Sequence, residues 1–286
     1  MDDHADRKRR HTPAEVLHRM PSKTHSDRRL LWLFGPLFCG LSVGAVAQTQ
    51  KPPGEDKTAK TRTLEAGAKA LQRNSPLGPM DVYLVGFHPM KDHPEHQMEA
   101  HHYCHQVNQD FAQCTLFDGN ARNANLTGIE YIISEKLFET LPQDERQYWH
   151  PHNGEILSGQ LVAPGIPAVA EKALMKDKMN SYGKTWHVWN TGAMGQAGDQ
   201  LPLGPPMLAW SFNRDGEAKP GLVEQRDKKM GVDSAEKRRQ RADLQSLAKP
   251  QSGVDDIRAA FPHAKAIPGV VDKKPAARSP VAPASR

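Results

Sequence analysis

Histidine is the residue type whose distribution suggests chemistry in this chain of 286 residues. Six of the 14 histidines fall between residues 88 and 105, and a second concentration, HPHNGE, begins at His150. If that segment is extended and then turns at its Asn-Gly pair, His150 and His152 point the same way and Glu155 comes round beside them. Two imidazoles and a carboxylate suit zinc, iron or manganese. The sequence therefore predicts a site for one divalent transition metal.

A histidine from a neighbouring strand would complete this site, and His101 and His102 are the two candidates. Successive side chains of a strand point to opposite faces, so only one of the pair can face the metal. The alternative is structural, with both histidines hydrogen-bonded to buried carboxylates. Catalytic motifs such as H-E-x-x-H and G-x-S-x-G are absent from the sequence. No catalytic residue is therefore assigned, and the sequence does not decide whether the protein is an enzyme.

The charge pattern divides the chain into regions. Residues 76–213 carry a net charge of −7, whereas both flanks are basic, and residues 214–286 alone carry +6. Residues 48–75 are rich in Lys, Thr, Pro and Gly, which is typical of a linker. We therefore predict a folded domain at residues 76–213 and a disordered basic tail at residues 214–286. A nucleic-acid-binding domain carries its positive charge on the fold, so this acidic domain argues against nucleic acid as a partner.

The predicted domain contains several short strands and few helices. Period-2 patterns and turn signals predict strands over residues 81–88, 99–108, 111–118, 125–133, 154–162, 184–190 and 207–212. Helices are predicted over residues 134–141, with Ser134 as N-cap, and over residues 167–182. The order lacks the regular strand-helix alternation of a doubly wound sheet. It predicts an α+β fold, a single compact domain with a mainly antiparallel sheet and two helices.

An export signal is predicted at the N-terminus. Residues 30–47 contain no charge, follow Arg28 and Arg29, and end in Ala-Val-Ala, which is typical of a cleaved secretory signal. Residues 1–47 would then be a signal with an extended n-region, with translation starting at Met1 or at Met20. This predicts a periplasmic or secreted protein. The alternative is an anchor in the inner membrane, since 18 apolar residues can just span a bilayer.

Cleavage would leave two cysteines, Cys104 and Cys114. Two cysteines in an oxidising compartment are able to form a disulfide. Their separation of ten residues suits neighbouring strands joined by a hairpin. The alternative is a pair of buried thiols that act as small apolar side chains.

Four segments of the domain resemble the oil body-associated protein family. They are EAHHYC from Glu99, GIEYIISEKLFETLP from Gly128, WHPHNGE from Trp149 and LPLG from Leu201. The resemblance covers residues 76–213, and the segment from Gly128 is its most specific part. It implies a small domain that in plants is linked to lipid-droplet formation, with no established enzymatic activity. The family pattern includes His101 and His102, and also His150, His152 and Glu155. The export signal and basic tail depart from that pattern and predict an exported bacterial member.

Three functions fit these observations. The resemblance and the apolar N-terminal segment favour a non-catalytic role at a lipid interface or in the cell envelope, with a lipid or membrane surface as partner. The alternative is a metal-dependent enzyme in which His150, His152 and a neighbouring histidine hold the ion and Glu155 is a ligand or a base. The third is a protein that binds metal through its histidines without turnover.

Overall fold

A seven-stranded sheet forms the centre of the computed structural model, which describes residues 52–72, 76–192 and 197–273. In chain order its strands are β1 (Val82–Pro89), β2 (Gln97–Asn108), β3 (Phe111–Phe117), β4 (Leu126–Ile133), β5 (His150–Pro151), β6 (Tyr182–His187) and β7 (Met207–Leu208). They lie in the order β1-β2-β3-β4-β6-β5, with β7 also paired to β6. Every pair is antiparallel. The predicted α+β fold with an antiparallel sheet is confirmed.

The sheet has two different faces. Its inner face is defined by Leu84, His102, Leu116 and Glu130, which the strand register places on the same side. Leu84 and Leu116 belong there to a buried core that also includes residues from the helices. The outer face, which carries Tyr83, Tyr103, Thr115, Ile129 and Trp186, is more exposed, and Ile129 retains 41% of its accessible surface.

The hairpin of β2 and β3 places Cys104 directly opposite Cys114. The structure joins the two residues by a disulfide, and the distance between their Cα atoms is 4.0 Å. Both residues are buried on the inner face. The cross-link therefore ties together two central strands beneath the core.

Six α-helices are found in the described part of the chain, against two predicted. They are α1 (Ala59–Leu71), α2 (Glu135–Phe138), α3 (Asn153–Ser158), α4 (Ala168–Lys178), α5 (Leu222–Met230) and α6 (Ser234–Gln240). The predicted N-cap is present, since the Ser134 hydroxyl accepts from the Leu137 amide at 3.3 Å. Helix α1 lies in the predicted linker and buries none of its residues. No helix in the described ranges is both long enough and apolar enough to cross a membrane.

Helix α3 occupies a segment that we predicted as a strand over residues 154–162, and that prediction is wrong. All six residues of α3 are buried, so the helix shows no polar stripe by which its period could be recognised. Gly159 ends it in the left-handed conformation, with φ at 81°. Gly154 allows close packing, because a Cβ there would lie 2.4 Å from the Phe212 carbonyl oxygen. The helix thus packs against the chain around Phe212 and delivers Glu155 to the core.

The C-terminal boundary of the domain lies later than predicted, because residues 214–273 pack onto the domain. Their strands β8 (Arg214–Asp215) and β9 (Lys265–Ala266) form a second small sheet. Arg226 and Arg241 are buried, and their guanidinium groups donate to backbone carbonyls of the core. The segment contains many cations, which is why its composition suggested a tail. The remaining residues of the predicted tail, and the whole predicted signal at residues 1–47, lie outside the described ranges.

Candidate metal centre

Glu130 of β4 is the centre of a group of buried histidines on the inner face. Its Oε2 atom lies 2.8 Å from Nε2 of His102 on β2. Its Oε1 atom lies 3.2 Å from Nε2 of His152 and 3.6 Å from Nε2 of His150. The strand register produces this convergence, because His102, Glu130 and His150 all lie on the inner side of their strands. At most 5% of any of these four side chains is exposed.

The outer nitrogens of two of these rings fix where their protons are. Nδ1 of His102 lies 3.1 Å from the Ala100 carbonyl oxygen, which can only accept, so Nδ1 is the donor. Nδ1 of His152 lies 2.8 Å from the Ser181 hydroxyl, which already donates to the Lys178 carbonyl. His152 therefore donates as well. Both Nε2 atoms consequently face the Glu130 carboxylate, either as lone pairs available to a metal or as imidazolium N–H groups.

His150 has no hydrogen-bond partner for either ring nitrogen within the described ranges, although it is fully buried. Its neighbours are the rings of His152, His88 and Trp210, with centroids 5.0, 5.8 and 6.0 Å away. Leaving a buried polar group unpaired costs about 1–3 kcal/mol. A metal bond through one of these nitrogens would offset that cost.

Two further histidines complete the group. His88 at the end of β1 packs edge-on against His102, with ring centroids 5.0 Å apart. Its Nδ1 atom is hydrogen-bonded to Nε2 of His187 on β6 at 2.9 Å. Since one nitrogen of this pair must carry the proton and the other must accept it, the bond orients both rings.

Gly183 of β6 makes room for the cluster. A Cβ at this position would lie 2.3 Å from Oε1 of Glu130 and 2.6 Å from Nε2 of His152. It would also lie 2.7 Å from Cε1 of His150. Contacts this short do not occur in folded proteins, so only glycine lets these three side chains meet.

Burial sets the protonation of the histidines. Desolvation, followed by the neighbouring His152, lowers the pKa of His150 to about 3. Desolvation, followed by His102, lowers the pKa of His187 to about 4. Both rings are therefore neutral near pH 7, which is the form that binds metals.

The two buried carboxyl groups differ in their protonation. Burial opposes ionisation of Glu130, but hydrogen bonds from His102 and His152 outweigh it and hold the pKa of this carboxyl well below its usual range. Burial and the charge of Glu130 raise the pKa of Glu155 well above its usual range. Glu130 is therefore the carboxylate that is ionised before any metal is bound.

The structure brings together three of the five predicted ligands, His102, His150 and His152, around Glu130. Glu155, the fifth predicted ligand, lies on α3 and faces the same core. Its carboxyl group and the His102 ring both border Gly86, since a Cβ added at this glycine would lie 3.7 Å from Oε1 of Glu155 and 3.9 Å from Cε1 of His102.

His101 lies on the opposite face of the sheet, in a separate hydrogen-bond chain. The Glu99 carboxylate accepts from His101 Nε2 at 2.8 Å, so His101 Nδ1 accepts from the Tyr83 hydroxyl at 2.6 Å. Both ring nitrogens of His101 therefore have hydrogen-bond partners, as expected for a histidine with a structural role.

Sequence reasoning missed Glu130, His88 and His187. The signal for Glu130 was present, because it alternates with Gly128 and Ile132 in a strand and therefore points to the same face as the apolar Ile132. A carboxylate on the buried face of a strand needs a cationic or hydrogen-bonding partner. The two histidines lie at the ends of their strands, where the sequence does not indicate which chain segments cover them.

Most of the chain is similar in sequence to a known protein family. A family of proteins of unknown function, DUF1264, matches residues 74–245 of the chain. Oil body-associated protein 2A of Arabidopsis thaliana is 37% identical over 206 residues, which is 71% of this chain and 82% of the plant protein. The chain belongs to the oil body-associated protein family. Another relative, oil body-associated protein 2A of Zea mays, is 36% identical over 224 residues, covering 77% of this chain and 87% of its own length.

The family match also extends beyond the predicted domain. It continues past residue 213 and includes helices α5 and α6, in agreement with the packing of the C-terminal segment. No solved structure shows significant similarity to this chain.

Proposed function

We propose that this domain binds a divalent transition metal ion in its core, with Glu130 as the central ligand. The observation that carries the proposal is the convergence of His102 and His152 on one carboxylate. Each ring has its outer nitrogen committed as a donor, so each directs Nε2 at Glu130. Metal-binding histidines characteristically use their second nitrogen in this way, which fixes the tautomer and the ring orientation.

The unpaired nitrogens of His150 support the same proposal, since this ring supplies a further neutral donor beside Oε1 of Glu130. Imidazole and carboxylate ligands together suit zinc, iron or manganese. The ligands are enclosed, and hydrolytic metal sites keep a position open to substrate. The enclosure therefore favours a metal that stabilises the fold or exchanges electrons over a hydrolytic enzyme.

The metal content of a Glu130→Gln variant tests the proposal. The amide keeps the shape of the side chain but loses its charge, so we expect metal content to fall at least tenfold relative to the unchanged chain. The measurement is elemental analysis of the full chain, purified without a histidine tag and without added metal. Glu99→Gln is the matched control, because Glu99 is hydrogen-bonded to a histidine on the opposite face.

Two results would count against the metal site. One is an unchanged chain that holds no metal and retains none after titration with Zn²⁺. The other is equal metal content in the two glutamine variants, which would place the ion elsewhere. In either case the histidines would be a hydrogen-bonded part of the core.

A second candidate function, contact with a lipid surface, is favoured by an apolar groove on the outer face. The groove has a volume of about 550 Å³ and is lined by Leu126, Gly128, Ile129, Trp186, Val188 and Pro206. Three of these side chains, Leu126, Ile129 and Val188, are 41–50% exposed. Exposed apolar patches mark binding surfaces. The relatives are named for association with oil bodies, whose surface is a lipid interface.

Flotation with phospholipid-coated triolein droplets tests the lipid contact. We expect Ile129→Glu to reduce the droplet-bound fraction about tenfold, because it puts a charge among the apolar side chains that line the groove. Val169→Glu is the control, since Val169 is 84% exposed on α4, away from the groove. Equal loss in both variants, or no flotation of the unchanged chain, would remove the lipid candidate.

A further inference from the structure

Glu130 is shared by two groups of ligands. One consists of His88, His102 and Glu130, and the other of Glu130, His150 and His152. Within each group the ligand atoms all lie within 4.8 Å of one another, and all five residues are buried. We propose that the centre holds two divalent transition metal ions bridged by the Glu130 carboxylate, a refinement that rests on the proposed metal-binding function.

The carboxylate is oriented to bridge. Oε2 of Glu130 faces His102 at 2.8 Å, whereas Oε1 faces His152 at 3.2 Å and His150 at 3.6 Å. Each oxygen thus serves a different group of histidines. A carboxylate that binds one ion through each oxygen is the usual bridge of two-metal sites, in which the ions lie about 3.5–4 Å apart.

The donors are divided between the two positions. His88 and His102 serve the first ion, and the bond between His88 and His187 at 2.9 Å orients the His88 ring. His150 and His152 serve the second, and the Ser181 hydroxyl orients His152. Each ion therefore has two imidazoles and one oxygen of Glu130, together with a second-sphere hydrogen bond that holds one of its ligands.

Stoichiometric titration of the full chain with Zn²⁺, after removal of metal by a chelator, tests the inference. We expect two equivalents to bind to the unchanged chain. His88→Ala is expected to retain one equivalent, His150→Ala is expected to retain one, and Glu130→Gln is expected to retain none. His93→Ala is the matched control with two equivalents, because the His93 side chain is 71% exposed in a loop.

A second readout reports the bridge itself. Loading with Mn²⁺ is expected to give the electron paramagnetic resonance spectrum of a spin-coupled pair, and His88→Ala is expected to give that of an isolated ion. One equivalent of Zn²⁺ in the unchanged chain, or an uncoupled Mn²⁺ spectrum at full loading, overturns the two-metal inference and leaves the single site standing. No bound Zn²⁺ at all overturns the proposed function as well. The unchanged chain decides both points, even if a variant fails to fold.

Discussion

Replacing Gly183 by alanine is expected to abolish metal binding, with at least a tenfold fall in metal content. The added Cβ would lie within 2.3–2.7 Å of atoms of Glu130, His152 and His150, so at least two of these side chains must move. Overpacking of this kind typically costs about 1–3 kcal/mol of stability. The φ angle of Gly183 is not in the left-handed region, so the effect is one of space. Elemental analysis and thermal unfolding measure the two consequences.

Gly67→Ala provides the control for this prediction. Gly67 lies on the exposed helix α1, and a Cβ there would meet nothing within 4 Å. Alanine favours the helix itself, but α1 buries none of its residues, so the stability of the domain and its metal content should both stay unchanged. A Gly183→Ala chain that kept its full metal content would show that the ion does not lie between these three side chains.

Replacing Arg241 by methionine is expected to destabilise the protein by about 2–4 kcal/mol, the sum of a buried carbonyl left unpaired and a lost hydrogen bond to a charged group. The Arg241 guanidinium donates to the carbonyls of Ile156 and Leu161 at 3.0 and 2.8 Å. It also lies 3.2 Å from the buried Glu171 carboxylate. Methionine fills similar space but removes the donor to the Leu161 carbonyl and the charge-assisted bond to Glu171. The Ile156 carbonyl keeps the Gly159 amide as a donor, and the Glu171 carboxylate keeps Lys237 as its ion-pair partner. Chemical denaturation of the full chain measures the loss.

The matched control is Arg239→Met. Its ion pair with Glu236 is exposed, with side-chain exposures of 66% and 44%, and such pairs contribute about 1 kcal/mol or less. If both methionine variants lost equally little stability, the C-terminal segment would not be an integral part of the domain. A large loss in Arg241→Met alone would support the boundary beyond residue 213.

The fold class and most strands could be predicted because their signals are local. The turn signal after β3 and the alternation in β6 are visible in the sequence, and the Ser134 cap marks the start of α2. The C-terminal segment could not be predicted in this way. Its composition is that of a solvated tail, and the cations that pack into the core, Arg226 and Arg241, are satisfied by carbonyls from distant parts of the chain.

The candidate site could be predicted in part. The alternation of β2 shows that His101 and His102 face opposite ways, but only the pairing with β1 and β3 shows that His102 faces the core. Glu155 was expected to follow two extended histidines round a turn, whereas it lies on the buried helix α3. Glu130 lies 20 residues before His150 in the sequence, and only the sheet brings the two together.

Anomalous diffraction from crystals of the full chain, grown without added metal, would show whether metal ions lie at the Glu130 carboxylate. We expect anomalous density on both sides of the Glu130 carboxylate, about 2.0–2.2 Å from its oxygens and from the histidine nitrogens. Density on only one side would reduce the centre to a single ion. An absence of density at Glu130, with the carboxylate hydrogen-bonded directly to His102 and His152, would contradict the claim and leave the cluster as a polar network of the core.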